Sequence, residues 1–139
     1  MSKKPALPAS AITIETLIGA EVVRVSGDAT VADVAKVIAE NNIGAVVVGD
    51  DKRPTALFSE RDVVRVVASG RNPAEVPARE IASTGLVWCE IESTVEEAAI
   101  RMTDRAIRHL LVEQDGELAG IVSARDLLGV YATDADHAI

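Results

Sequence analysis

The sequence predicts a mixed α/β fold of the α+β kind: two tandem β-α-β-β-α units packed as a pseudo-two-fold pair. Three observations predict it. The 139 residues align with themselves at a shift of 64, without a gap, from Thr13 to Tyr131. Short Val- and Ile-rich runs alternate with stretches of helical periodicity. The core must also be aliphatic, because 48% of the chain is hydrophobic while Phe, Trp and Tyr occur once each.

The start, MSKKPALPAS, holds prolines and two lysines and no long apolar run, so it reads as a tail over residues 1–11 rather than a secretory signal. Val22–Val25 is a short strand. Thr30 then caps a helix with Asp33 as its box partner, and Val31, Val34, Ala35 and Ile38 form its buried stripe. AVVV at 45–48 is a buried strand, GDDKRP a turn, and Ala56–Phe58 a third strand. Ser59 opens the last helix, with Asp62 three residues on. The loop SGRNPAEVP joins the copies, where Gly70 ends a helix and two prolines stop it from continuing.

The second copy repeats each element. Leu86–Cys89 is a strand, Thr94 and Glu97 cap a helix striped by Val95, Ala98, Ala99 and Met102, and LLV at 110–112 is a buried strand. Asp115-Gly116 signals a hairpin. Gly120–Val122 follows, and Ser123 with Asp126 opens the final helix. Identical pairs include Val31/Val95, Ile43/Ile107, Ser59/Ser123, Arg61/Arg125 and Asp62/Asp126. Val63, Val64, Val66 and Val67, matched by Leu127, Leu128, Val130 and Tyr131, cover an arc of roughly 160°. Such an arc fits either a deeply buried helix or one that also meets a second chain.

The net charge of −8, with no Lys/Arg stripe and no aromatic platform, argues against a nucleic-acid surface. No apolar run approaches the ~20 residues of a membrane span, so the expectation is a soluble, cytoplasmic protein. Cys89 stands alone and reads as a packed strand residue. There is no Gly-x-Ser-x-Gly elbow, Walker sequence, Gly-x-Gly-x-x-Gly or metal-ligand spacing, so neither catalysis nor a metal or catalytic cofactor is expected.

The tandem units, IRHLLV, GELAGIVSARD and the paired Ser-x-x-Asp at a strand-to-helix junction resemble the cystathionine-β-synthase (CBS) domain pair, or Bateman module. The likeness covers about residues 12–132, with CBS domain 1 over 12–76, CBS domain 2 over 77–133 and a tail over 134–139. It resembles the stand-alone bacterial members. The resemblance implies a regulatory module and sensor for adenosyl ligands: AMP, ADP, ATP, NAD or S-adenosylmethionine. It implies phosphate contacts at Ser59 and Ser123 and ribose contacts at Asp62 and Asp126. Arg108, with His109 as a secondary contact, would reach phosphate beside Asp62. The site of Ser123 and Asp126 would face Gly44 instead, and would stay empty or take an uncharged group. Leu57 and Ile121 are candidate apolar contacts on the adenine side. Gly120 follows the family pattern before the third strand, and Ala56 departs from it.

The chemistry at the junctions agrees with this division. A helix N-terminus offers unpaired N–H groups and partial positive charge to a phosphate. A carboxylate repels phosphate but accepts well from a cis-diol. Ser-x-x-Asp is also a plain capping box wherever a helix begins. Arg61 starts close to the cap, with solvent exposure as its simpler reading. The competing function is a non-catalytic homo- or hetero-oligomerisation module with vestigial clefts. In either case a homodimer and an unidentified regulated protein are the expected partners.

Overall fold

In a computed structural model the chain is described for residues 7–19 and 21–137, with side chains through Ala132. It divides into two compact units. Glu21–Leu86 forms one; the other combines the described residues of 1–20 with those of 87–139.

In the first unit, β1 (Arg24–Val25) runs parallel to β2 (Ala45–Val48), which pairs antiparallel with β3 (Ala56–Ser59). The helix α1 (Val31–Asn41) connects β1 to β2, and α2 (Glu60–Ala68) follows β3 directly. Thr30 accepts from Asp33 N–H at 3.1 Å while Asp33 accepts from Thr30 N–H at 3.4 Å, closing a capping box that satisfies two otherwise orphaned donors. Val31, Val34 and Ile38 bury one face of α1 against Val46, Phe58 and Val66. Gly70 follows α2 with φ near +80°, a left-handed conformation that glycine adopts without steric cost.

The second unit repeats the plan with β4 (Trp88–Glu90), α4 (Val95–Arg105), β5 (His109–Gln114), β6 (Glu117–Ser123) and α5 (Ala124–His137). Asp115 and Gly116 both have positive φ, so a tight hairpin carries the ladder through to Gln114↔Glu117. This makes β5 and β6 longer than the apolar runs alone suggested, and the expected strand Gly120–Val122 lies inside β6. Leu110, Val112 and Val122 join Cys89, Val95 and Met102 in the core.

Each unit is completed by a segment that the hydrophobic pattern did not announce. Ile14–Leu17 is a single 3₁₀ turn in the second unit, and α3 (Ala78–Ile81) is a single turn in the first. Their backbone bonds match at the 64-residue shift. Val95 N–H donates to Ile12 C=O as Val31 N–H donates to Val76 C=O, both at 2.8 Å. Ile14 N–H donates to Ser93 C=O as Ala78 N–H donates to Ala29 C=O, again at 2.8 Å. Ile14 and Ala78 are fully buried. The sequence repeat therefore breaks near residue 77, whereas the packing assigns Ala78–Ile81 to the first unit.

The two expected tails differ from the structure. Ala9 is buried and its carbonyl accepts Glu96 N–H at 3.2 Å, so ordered chain begins before residue 12. Residues 1–6 of that tail lie outside the described residues. Helix α5 continues to His137, through most of the expected C-terminal tail, because nothing in ATDADH breaks a helix.

Candidate functional site

Both Ser-x-x-Asp motifs sit where a strand ends and a helix begins, and the backbone around them is the same. Glu60 N–H donates to Gly44 C=O at 2.9 Å, and Ala124 N–H donates to Arg108 C=O at 2.8 Å. Ala45 registers with Ser59 and His109 with Ser123. The middle strand of each sheet thus holds its first residue beside the motif serine.

The side chains differ between the copies. Asp62 is only 4% exposed. Its Oδ2 accepts Ser59 N–H at 2.9 Å and the Ser59 hydroxyl at 3.3 Å, and its Oδ1 lies 3.6 Å from the Arg65 guanidinium. Asp126 is exposed. It accepts Ser123 N–H at 2.8 Å, while Ser123 Oγ accepts Asp126 N–H at 3.1 Å. Each serine caps its helix in a box with its aspartate, and Ser59 Oγ in addition lies 3.3 Å from Asp62 Oδ2.

Among the other expected residues, Leu57 and Ile121 are half-buried, two positions before each serine. Leu57 exchanges backbone bonds with Ser83 at 3.0 and 2.9 Å, which covers that edge of β3. Arg108 and His109 flank the Ser123 junction on their own unit. Arg61 is exposed, the simpler of its two readings.

The broad apolar arcs resolve into two parts. Val66 and Leu127 are buried, whereas Val64, Val67 and Leu128 are 64%, 61% and 65% exposed and Tyr131 is 38% exposed. Full burial of these helices is excluded.

Burial raises the Cys89 thiol to about 11 from an ordinary 9.0; the Arg101 guanidinium opposes the rise, and Glu90 and Glu113 add to it. It stays a protonated core thiol at neutral pH. Among the described residues no cluster of His, Cys, Asp and Glu could hold a metal ion. No helix among them is long and apolar enough to cross a membrane.

The duplicated strand-to-helix junctions agree with the comparison to known families: the CBS domain model matches twice, over residues 14–69 and 78–133. The chain belongs to the CBS domain family. A CBS domain protein of Pyrobaculum aerophilum, solved in complex with AMP, is 32% identical. That match covers 90% of this chain and 99% of the other, with a TM-score of 0.78. A CBS-domain containing protein of Agrobacterium tumefaciens is 31% identical over 86% of this chain and 98% of its own, with a TM-score of 0.79. An uncharacterised protein of Methanopyrus kandleri is 39% identical over 113 residues, and the matched region spans 58% of that longer chain. These likenesses agree with the resemblance read from the sequence and with its α+β fold of two repeated units.

The row containing Trp88, Leu111 and Ile121 escaped the sequence reading. Strand register alone places these residues on one face.

Proposed function

We propose that this chain is a non-catalytic, cytoplasmic regulatory module that binds an adenosine nucleotide or related adenosyl ligand. The observation that carries the reading is the duplicated junction, in which a serine and an aspartate meet at the N-terminus of a helix in both units. The Pyrobaculum relative in complex with AMP supports the ligand class.

In this reading the N-terminal amides of α2 and α5, with Ser59 and Ser123, take phosphate. Asp62 and Asp126 take the ribose hydroxyls, and Leu57 and Ile121 contact the base. Arg108 and His109 add donors for phosphate, and Arg61 is a further candidate from the first turn of α2. The exposed residues on α2 and α5 fit a second copy of this chain, since four apolar side chains repeat at equivalent positions.

Thermal unfolding of the full chain with AMP, ADP, ATP, NAD and S-adenosylmethionine tests the reading. A ligand that binds only the folded state raises the midpoint with concentration. No shift with any of the five would overturn it in favour of an oligomerisation module.

A further inference from the structure

A chain that builds its core from aliphatic residues has one tryptophan, and Trp88 lies outside that core. In the second unit Cys89, Val112 and Val122 turn into the core cluster. Side chains alternate across a sheet, so their neighbours Trp88, Leu111 and Ile121 occupy the opposite face. Register aligns these three in one row: Trp88 with Leu111, and Leu111 with Ile121. Leu111 is 1% exposed and Trp88 is half-buried.

The same face carries the His109–Ser123 pair one step further along the strands, at the N-terminus of α5. From Ser123 to Ile121 is about 7 Å along β6, and from Ile121 to Trp88 about 10 Å across two strand spacings. The diagonal from Ser123 to Trp88 is then about 12 Å, which a nucleotide spans with its phosphate at the helix N-terminus, its ribose at Asp126 and its base past Ile121 at Trp88. The indole stands at the far end of that path. The Arg101 guanidinium donates to the Trp88 carbonyl, which ties this part of β4 to α4. At the equivalent position of the first unit Arg24 registers with Val47 and Leu57, so the indole belongs to one copy only.

We infer that Trp88 is a specificity-determining residue: it forms the aromatic wall against which the purine ring of a ligand at the α5 junction stacks. This inference rests on the adenosyl reading and deepens it by assigning the base to a residue that the Ser-x-x-Asp motif does not include. Stacking on an aromatic face responds to the flat ring and not to phosphate number. Trp88 should therefore discriminate ligands that carry a base from those that do not.

The single tryptophan makes a direct probe. The full chain is titrated with AMP and with ribose 5-phosphate, following calorimetry and indole emission in parallel. AMP should bind with a saturating change in emission at the calorimetric midpoint. Trp88→Ala should weaken AMP by about tenfold or more and leave ribose 5-phosphate unchanged, and Trp88→Phe should retain most of the affinity. Heat from AMP with a silent indole, or unchanged AMP affinity in Trp88→Ala, overturns the role of Trp88 and leaves the adenosyl reading standing. No heat from AMP or from S-adenosylmethionine overturns both. Should Trp88→Ala fail to fold, the emission of the unmodified chain and the affinity of Trp88→Phe decide.

Discussion

Gly120 and Ile18 stand so close that a Cβ on the glycine would lie 2.7 Å from Ile18 Cγ2 and 3.0 Å from its Cβ. The need for glycine inside β6 therefore comes from a packed isoleucine. At the 64-residue shift the equivalent positions hold Ala56 and Ala82, a larger residue in place of the glycine and a smaller one in place of the isoleucine. Gly120→Ala should cost about 1–3 kcal/mol by overpacking. Adding Ile18→Ala should return part of that loss, giving a favourable coupling in a double-mutant cycle by denaturant unfolding.

Asn42 and Ala106 terminate α1 and α4 at equivalent positions, with φ of 51° and 53°. Asparagine tolerates the left-handed region, whereas an alanine Cβ there crowds the backbone. Ala106→Gly should stabilise the chain by roughly 0.5–1 kcal/mol, as the relief of strain outweighs the added freedom of the unfolded chain. A thermal melt should show a higher midpoint, and Asn42→Ala should show a lower one.

The raised Cys89 pKa gives a defined alkaline signature. The unfolded thiol ionises near pH 9, while the folded one holds its proton to about 11. Stability from this group is complete below pH 9 and falls as pH rises through that window, by up to about 2–3 kcal/mol at the top. Cys89→Ala should remove this slope between pH 9 and 11. In the native protein at pH 8 a thiol reagent should label Cys89 only as fast as the chain opens.

The two motif aspartates should differ in structural cost. Removing the buried Asp62 carboxylate leaves the Ser59 N–H and hydroxyl without an acceptor, whereas water can replace the exposed Asp126. Asp62→Ala should cost about 2 kcal/mol, and Asp126→Ala about 1 kcal/mol as an ordinary lost cap. Urea unfolding without ligand separates the two values. Equal losses would contradict the assigned burial.

If a second copy covers α2 and α5, charge on their exposed apolar positions should separate the copies. Val67→Glu combined with Leu128→Glu changes two residues that are 61% and 65% exposed, so the fold of each chain should survive. Light scattering should report a mass falling to that of one chain, 14.6 kDa. An unmodified chain that is already monomeric would remove the basis for a self-interface.

Elements with a strong local signal were legible in the sequence. AVVV became β2 at the expected bounds, because four consecutive apolar residues between turn signals leave few alternatives. Thr30 and Asp33 formed the expected box, since that bond depends only on residues three apart. Ile14–Leu17 and Ala78–Ile81 were not legible: one turn has no periodicity, and each packs against residues distant in sequence. In the site, the Ser–Asp pairs were visible as caps. The burial of Asp62 and exposure of Asp126 were not, because identical motifs carry no record of what lies around them. Trp88 gained its place only once register set β4 beside β5.

The separation of Ala9–Ile18 from the rest of its unit also governs the order of events on the ribosome. Synthesis delivers the first unit entire once Leu86 has emerged. Ile12, Ile14 and Ile18 are made long before that point, yet the strands and helices they pack against begin at Val87. At about 5–20 residues per second the interval from Val87 to Val130 lasts roughly 2–9 s. During that time these three isoleucines have no apolar surface of their own unit to bury against. Aggregation during expression should therefore depend on Ile12, Ile14 and Ile18 more than on any strand of the completed protein.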